Sequence, residues 1–324
     1  MPDESELSCA ALIRMCTKLY SKKLATERNI PMRRRSLLLA AVLCLNLVLT
    51  GCGKKEADRP WKDTVVYSTL NNDESRKILE QLLISVPTDE EQRQVLFEHI
   101  NQINGFLEPD ELTDGFEEIP ITQPKYDPYD IQERWEKKYS DFPGYNCRIT
   151  AYSVGSSLIH IQEDTTIGDP DYIMMDLFSL ESDSTAIPND NQMMGFKALY
   201  TGIETENTQD ISIHVHSIQD NWKGRHIFFK DGGVSLISVF FHDQIDGNKL
   251  FVGHTGLLFE REDGLYFLEK LAFQEPYRLV KVDSRGELSD YLMTKYDVEF
   301  NQTMAPPIVM ENAQLIEGYR SMEK

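Results

Sequence analysis

Apolar side chains between residues 73 and 202 recur every three to four positions, with polar residues between them. This spacing is typical of helices that bury one face. Either Asn72 or Asp73 is suited to cap the first helix, because short polar side chains accept hydrogen bonds from the free amides at a helix start. Helices are predicted over residues 73–85, 89–103, 131–139, 149–159, 171–180 and 192–202.

The pattern changes in the C-terminal third, where short runs of β-branched and aromatic residues are separated by turn sequences such as Asp263-Gly264. Runs of this kind indicate strands joined by hairpins. Helices followed by an antiparallel sheet favour a single α+β domain over residues 61–324, with the helical N-terminal half packed on the sheet. Strands are predicted at 65–70, 210–218, 234–242, 250–260, 265–273 and 277–282, with irregular chain over 108–129 and a last helix over 287–296.

Residues 32–52 have the composition of an export signal. Three arginines follow Met32, and the apolar run 37–49 is shorter than a membrane-spanning helix, which needs roughly 20 apolar residues. Met32 stands where the basic region of a signal begins, so we interpret it as the true start of the protein. The run ends in Leu49-Thr50-Gly51-Cys52, which resembles the lipobox of bacterial lipoproteins, whose cysteine sulfur carries a diacylglycerol.

This resemblance implies that residues 1–51 are removed on export and that residues 52–60 are a lipidated tether, with Cys52 as the anchor. The protein would then be held at the cell membrane and face its extracytoplasmic side. An ordinary signal peptide followed by an unrelated cysteine is the alternative.

Charge and cysteine content narrow the choice of function. The formal net charge is −20, and residues 1–51 carry eight basic and four acidic side chains, so the remainder is near −24. So acidic a surface repels nucleic acid and anionic headgroups, and neither is expected as a partner. Of the five cysteines, only Cys147 follows Cys52. A lone thiol cannot form an internal disulfide, so it is either reactive or simply buried.

Cys147 follows a loop and stands at the first turn of the predicted helix that ends at residue 159. Amides at a helix start favour the thiolate, which is the nucleophilic form of cysteine. Asn146 or the backbone N–H of Cys147 would be placed to stabilise an oxyanion. The position therefore predicts a nucleophile.

His254 stands between Gly253 and Gly256 near the beginning of a predicted strand and is the candidate base. If residues 261–264 form a four-residue loop, Glu269 pairs with Gly256 and lies on the same sheet face as His254, within reach of its side chain. Glu269 would then orient the imidazole, as the third member of a catalytic triad does. A three-residue loop would place Glu269 on the opposite face.

The order of these three residues resembles that of papain-like enzymes of the NlpC/P60 type, where a cysteine opens a helix and a histidine opens a later strand. The hairpin of that family resembles His254-Thr255-Gly256-Leu257-Leu258 followed by Tyr266-Phe267-Leu268-Glu269. Glutamate stands where the family usually has histidine or another polar residue, and the family sequence Asp-Cys-Ser-Gly is absent at Cys147. The resemblance implies a papain-like arrangement of the α+β domain.

A second resemblance covers nearly all of the chain after the export signal. The segments Gly144-Tyr145-Asn146-Cys147-Arg148-Ile149-Thr150-Ala151 and Glu269-Lys270-Leu271-Ala272-Phe273-Gln274-Glu275-Pro276-Tyr277 resemble a family of Gram-positive lipoproteins catalogued as domain of unknown function 4300. This resemblance supports the tether and the single domain, and it brings no established activity.

These features favour a cysteine hydrolase or transferase in which Cys147 is the nucleophile, His254 the base and then the acid, and Glu269 the orienting residue. The substrate would be an extracytoplasmic amide such as a cell-wall peptide, and no cofactor is expected. The alternative is a non-catalytic lipoprotein that binds a ligand or partner on the same fold, with Cys147 structural.

A zinc site is a less favoured hypothesis. His214 and His216 alternate on the predicted strand 210–218 and would share a face, with His242 or His254 as a further ligand. No motif rich in Asp or Glu accompanies them, so no metal is expected.

Overall fold

The structure is a computed structural model that describes residues 59–87, 90–162, 165–245, 247–298 and 302–322. The predicted export signal and the predicted anchor Cys52 lie outside the described residues. In the described part of the chain, no helix is both long and apolar enough to cross a bilayer.

The helices begin where short polar side chains can cap them. Asn72 caps the first helix by accepting a hydrogen bond from the amide of Ser75 at 3.0 Å, and Asp127 caps the third, which has proline at its first position. The α-helices in the described residues are α1 (Asp73–Leu83), α2 (Glu90–Asn104), α3 (Pro128–Glu136), α4 (Cys147–Gly155), α5 (Met174–Ser182), α6 (Asp190–Tyr200), α7 (Ile211–Gly224) and α8 (Arg285–Tyr296).

All strand pairs are antiparallel, and nine strands form one sheet in the order β11-β10-β6-β7-β8-β9-β1-β2, with β4 paired to the first part of β7. Strands β3 and β5 form a separate pair. The strands are β1 (Thr64–Ser68), β2 (Glu117–Pro120), β3 (Ile159–Ile161), β4 (Ile203–Glu204), β5 (Ile227–Phe229), β6 (Val234–Asp243), β7 (Lys249–Arg261), β8 (Gly264–Lys270), β9 (Tyr277–Val282), β10 (Ile308–Glu311) and β11 (Gln314–Leu315).

The sheet is covered on both faces, because successive residues of a strand point to opposite sides. Leu257 and Phe259 of β7 pack into the larger hydrophobic core, to which helices α1 to α7 contribute. Leu258 packs into a second core on the other face, which α8 covers with residues such as Leu292. The predicted α+β class is confirmed.

Two predictions about local structure are wrong. The predicted strand 210–218 is instead the first part of helix α7, with Asp210 as its cap. His214, Ile218 and Trp222 form a buried face at helical spacing, and Trp222 lies beyond the predicted strand. Residues 108–129 are not wholly irregular, since Glu117–Pro120 forms β2 and pairs with β1 at the edge of the sheet.

Candidate active site

The candidate nucleophile Cys147 is the first residue of α4. Asn146 precedes it with an extended backbone, and its Oδ1 atom accepts a hydrogen bond from the amide of Ile149 at 3.1 Å. Asn146 is therefore the N-cap that starts the helix at Cys147. The remaining amides of the first turn give this end of the helix a partial positive charge, which favours the thiolate.

The start of α4 is hydrogen-bonded to backbone carbonyl groups of β7. Pairing between β7 and β8 begins only at Gly256, so the carbonyls of Val252 and Gly253 are available to the helix. Arg148 donates to the carbonyl oxygen of Val252 at 2.7 Å, and Sγ of Cys147 donates to that of Gly253 at 3.9 Å. The thiol therefore lies beside the residue that precedes His254.

A buried carboxylate on α5 holds the same region from the other side. Asp176 is fully buried and accepts two hydrogen bonds from Arg148, at 2.9 and 2.5 Å. Its Oδ1 atom also accepts from Nδ2 of Asn146 at 2.9 Å. Because Asp176 binds the residues on both sides of Cys147, α5 fixes the start of α4 against β7.

A β-bulge places His254 in the sheet. Val239 pairs with His254 and the next residue of β6, Phe240, pairs with Val252, so Gly253 is the inserted residue. A Cβ atom on Gly253 would lie 2.0 Å from the ring of Phe241, which explains glycine at this position. His254 is the sixth residue of β7, whereas the sequence placed it near the start of the strand.

The predicted hairpin register is confirmed, with Glu269 paired to Gly256. The side chains of Glu269 and His254 lie on the same face, and Oε2 of Glu269 is 2.7 Å from Nε2 of His254. Tyr291 of α8 donates its hydroxyl to the other carboxylate oxygen of Glu269 at 2.5 Å. Both oxygens of the carboxylate are thus engaged, which fixes its orientation toward the imidazole.

The thiol and the imidazole shift each other's protonation toward an ion pair. Burial raises the pKa of Cys147, but the neighbouring His254 and Arg148 together more than offset this effect, so the pKa lies below its ordinary value. Burial lowers the pKa of His254, while Cys147 and Glu269 together raise it to about 9. Nδ1 of His254 has no hydrogen-bond partner among the described residues, so it is the nitrogen available to the thiol.

A buried arginine on the next strand lies beside Glu269. Together with His254 and Glu269 it forms a row of buried polar side chains across β7, β8 and β9, called the polar row below. Arg278 of β9 pairs with Glu269 across the strands, and its guanidinium lies 4.5 Å from the ring centre of Tyr67. Burial raises the pKa of Glu269, but the interactions with His254, Arg278 and Tyr291 outweigh it and hold the pKa below its ordinary value. The carboxylate therefore stays ionised beside the imidazole.

The three predicted site residues are shielded from solvent. Cys147 is 3% exposed, and His254 and Glu269 are 0% exposed. The ring of Tyr296, at the end of α8, lies over His254 with 5.3 Å between ring centres. Chemistry on a substrate at Cys147 would therefore require movement of a covering group.

The histidines of the zinc hypothesis are not arranged as the sequence predicted. His214 is buried on α7 and uses both ring nitrogens in contacts, with Oγ1 of Thr205 at 2.7 Å and the carbonyl oxygen of Thr208 at 2.8 Å. His216 is exposed on another face of the same helix. No group of three or more His, Cys, Asp or Glu side chains suited to a metal ion occurs among the described residues.

A family model described as Domain of unknown function (DUF4300) matches residues 66–316. The chain belongs to the DUF4300 family. The matched region contains Cys147, His254 and Glu269, so the site belongs to the DUF4300 domain itself. No curated protein and no solved structure matches the chain.

Three further residues contribute to the candidate active site and were not predicted from the sequence: Asp176, Arg278 and Tyr291. Arg278 had a signal, because it is a charged residue inside the run Tyr277–Val282, whose other residues are mostly apolar. Asp176 and Tyr291 had none, since each reaches the site from a helix whose packing is not encoded by local spacing.

Proposed function

We propose that this DUF4300 protein is a lipid-anchored, extracytoplasmic cysteine hydrolase or transferase that acts on an amide bond. The observation that carries the proposal is the position of Cys147 at the start of α4, beside an imidazole that a buried glutamate orients. This combination of thiol, base and orienting carboxylate is what nucleophilic catalysis requires. It also supports the papain-like arrangement expected from the order of the three residues.

In the proposed reaction, the thiolate of Cys147 attacks the amide carbon and a C–S bond forms. The resulting oxyanion accepts a hydrogen bond from the backbone N–H of Cys147. The side chain of Asn146 is committed to capping α4 and to Asp176, so the backbone group is the better donor. His254 then gives its proton to the leaving nitrogen as the C–N bond breaks.

The thioester is resolved by a second attack. His254 takes a proton from a water molecule, whose oxygen forms a C–O bond with the thioester carbon. The C–S bond then breaks, the thiolate recovers the proton from His254, and a carboxylic acid is released. An amine in place of water would give a new amide, which is the transferase outcome. Glu269 holds the imidazole in one orientation through both steps.

The burial of Cys147 supports a second candidate function. A thiol that is 3% exposed is also compatible with a non-catalytic protein that binds a ligand or partner on the same fold. In that case the polar row would be retained for stability, and Cys147 would pack as a small hydrophobe.

The test of catalysis uses cell-wall peptides as the first substrate panel. We expect product formation by the wild-type protein and none by Cys147→Ala. The rate of His254→Ala should be reduced at least roughly 100-fold, because general acid–base catalysis typically contributes 10²–10⁴-fold. Mass spectrometry after an acid quench should find the acyl adduct on the peptide that contains Cys147. Equal turnover by Cys147→Ala would exclude the proposed nucleophile, and binding without turnover would favour the second function.

The proposed location rests on the sequence from Met32 to Cys52 and has its own test. In the bacterial host, Cys52→Ser is expected to abolish incorporation of a fatty-acid label and to move the protein out of the membrane fraction. Cys44→Ser changes a cysteine within the same export segment and serves as the matched control, which should keep the label. Label retained in Cys52→Ser would refute the anchor.

A further inference from the structure

A cavity of about 390 Å³ lies next to the candidate active site. Its walls are largely aromatic and apolar and include Tyr172, Phe241, Phe251, Tyr296 and Val298. We propose that this cavity binds an apolar, preferably aromatic, side chain of the substrate beside the amide that is cleaved. This inference rests on the proposed function and names the substrate class of that site.

A continuous series of ring contacts connects the cavity to the candidate base. Tyr172 stacks on Phe251 with 4.6 Å between ring centres and an interplanar angle of 7°. Phe241 contacts Phe251 and Tyr296, each at 5.7 Å, and Tyr296 contacts His254 at 5.3 Å. A side chain held in the cavity would therefore be separated from the imidazole by the single ring of Tyr296.

The size of the cavity suits an aromatic side chain. An apolar cavity of about 150 Å³ is sufficient to bind benzene, so about 390 Å³ accommodates a phenyl or indole group together with adjoining backbone. Burying such a group typically contributes about 1.5–3 kcal/mol of transfer free energy, which corresponds to roughly 10- to 100-fold in affinity.

The charge around the cavity disfavours an anionic ligand. Both carboxylate oxygens of Asp243 already accept hydrogen bonds, from the hydroxyl of Tyr172 at 2.7 Å and the amide of Ile245 at 2.8 Å. The carboxylate is thus held in place by the protein. The acidic net charge of the chain argues against an anionic side chain.

One polar side chain in the lining has an unused donor. His242 is 4% exposed, and its Nδ1 atom accepts a hydrogen bond from the amide of Ala305 at 3.1 Å. Nε2 must then carry the hydrogen in the neutral imidazole, and it has no partner among the described residues. A carbonyl oxygen of a peptide backbone would satisfy this buried donor.

The experiment measures binding to the Cys147→Ala protein, so that turnover does not enter. The probes are N-acetyl-phenylalanine methylamide and the corresponding alanine and glutamate compounds, titrated by NMR. We expect the phenylalanine probe to bind about tenfold more tightly than the alanine probe and the glutamate probe to bind most weakly. Equal affinity for the three probes would overturn the proposal.

Variants of the wall identify the place of binding. Phe251→Ala should reduce affinity for the phenylalanine probe about fivefold or more, and Val298→Asp, a change at a residue that is 56% exposed, should do the same without affecting the core. Phe228→Ala is the matched control, because Phe228 is a half-exposed phenylalanine on β5 that does not line this cavity. An unchanged affinity in both wall variants would overturn the proposal.

The two proposals can fail separately. Selective binding of the phenylalanine probe, together with absence of turnover by the wild-type protein, would refute the enzyme alone. Turnover by the wild-type protein, together with equal affinity for the three probes, would refute the aromatic subsite alone.

Discussion

Replacing Glu269 by alanine is expected to lower the free energy of unfolding by about 3–5 kcal/mol, the cost typical of removing one partner from a buried ion pair. The carboxylate is fully buried 2.7 Å from Nε2 of His254, and it accepts a hydrogen bond from Tyr291. Arg278 is its neighbour on β9. Truncation would leave His254 and Tyr291 without the carboxylate that accepts from them. Urea unfolding followed by circular dichroism measures the loss.

Two variants make this result specific to burial. Glu260→Ala removes a carboxylate from the same hairpin, but its partner is Arg285 and its side chain is 49% exposed, so the expected loss is about 1 kcal/mol or less. Glu269→Gln keeps the volume and one acceptor oxygen, and an intermediate loss is expected. Equal losses for Glu260→Ala and Glu269→Ala would contradict the proposed importance of the buried pair.

The stabilisation by the pair should depend on pH with a defined sign. The pKa of His254 is raised from an ordinary 6.5 to about 9, so its contribution is fully present below 6.5 and is lost as the pH rises through about 9. The pKa of Glu269 is lowered, so its contribution is present above the ordinary glutamate value and is lost as the pH falls through the folded-state value. The difference between wild type and Glu269→Ala should therefore be largest between the ordinary pKa values of glutamate and histidine, 4.5 and 6.5, and smaller above pH 9.

The parts of the fold that local spacing determines were predictable. Helix α1 has both a cap at Asn72 and a buried stripe, and its predicted start is correct. For the hairpin of β7 and β8, the sequence left two registers open, and the observed one is that expected from a four-residue loop. Gly264 in this turn has a φ of +135°, which favours glycine. Such elements carry their own signals, because the interactions that fix them lie within a few residues.

Elements that depend on distant partners were not predictable in this way. At the start of α7, apolar residues alternate with polar ones at positions 211, 213 and 215, a pattern typical of a strand. The helix is stabilised instead by the burial of Ile218 and Trp222 in the larger core. Strand β10 was missed altogether, because four residues carry little periodicity and the strand exists through pairing with β6.

The candidate site shows the same division. The start of α4 at Cys147 and the register that brings Glu269 to His254 follow from a cap and a turn, so the sequence could relate these residues. Their burial could not be predicted, because it depends on Tyr296 from α8 and on the attachment of α4 to β7. The sequence left Cys147 either reactive or buried, and the structure places it in the interior next to His254.

Replacing His254 by alanine is expected to move the titration of the Cys147 thiol upward by roughly one pH unit or more. Burial raises the pKa of this thiol, and in the wild-type protein His254, with a smaller contribution from Arg148, more than offsets that effect. Loss of the imidazole removes the neighbouring positive charge that favours the thiolate. The thiolate that remains at neutral pH should therefore fall to a small fraction of the thiol population.

The thiolate absorbs in the ultraviolet, and the difference between each protein and its Cys147→Ala counterpart isolates the signal of this one sulfur. Titration by absorbance does not require a reagent to enter the site, which matters because Cys147 is 3% exposed. His216→Ala, which removes an exposed histidine from α7, is the control and should leave the midpoint unchanged. The rate of alkylation by iodoacetamide should follow the same midpoint, because the thiolate is the nucleophile. If the midpoint of the thiol titration were the same in His254→Ala as in the wild-type protein, the imidazole would not activate the thiol. The binding function would then be favoured over catalysis.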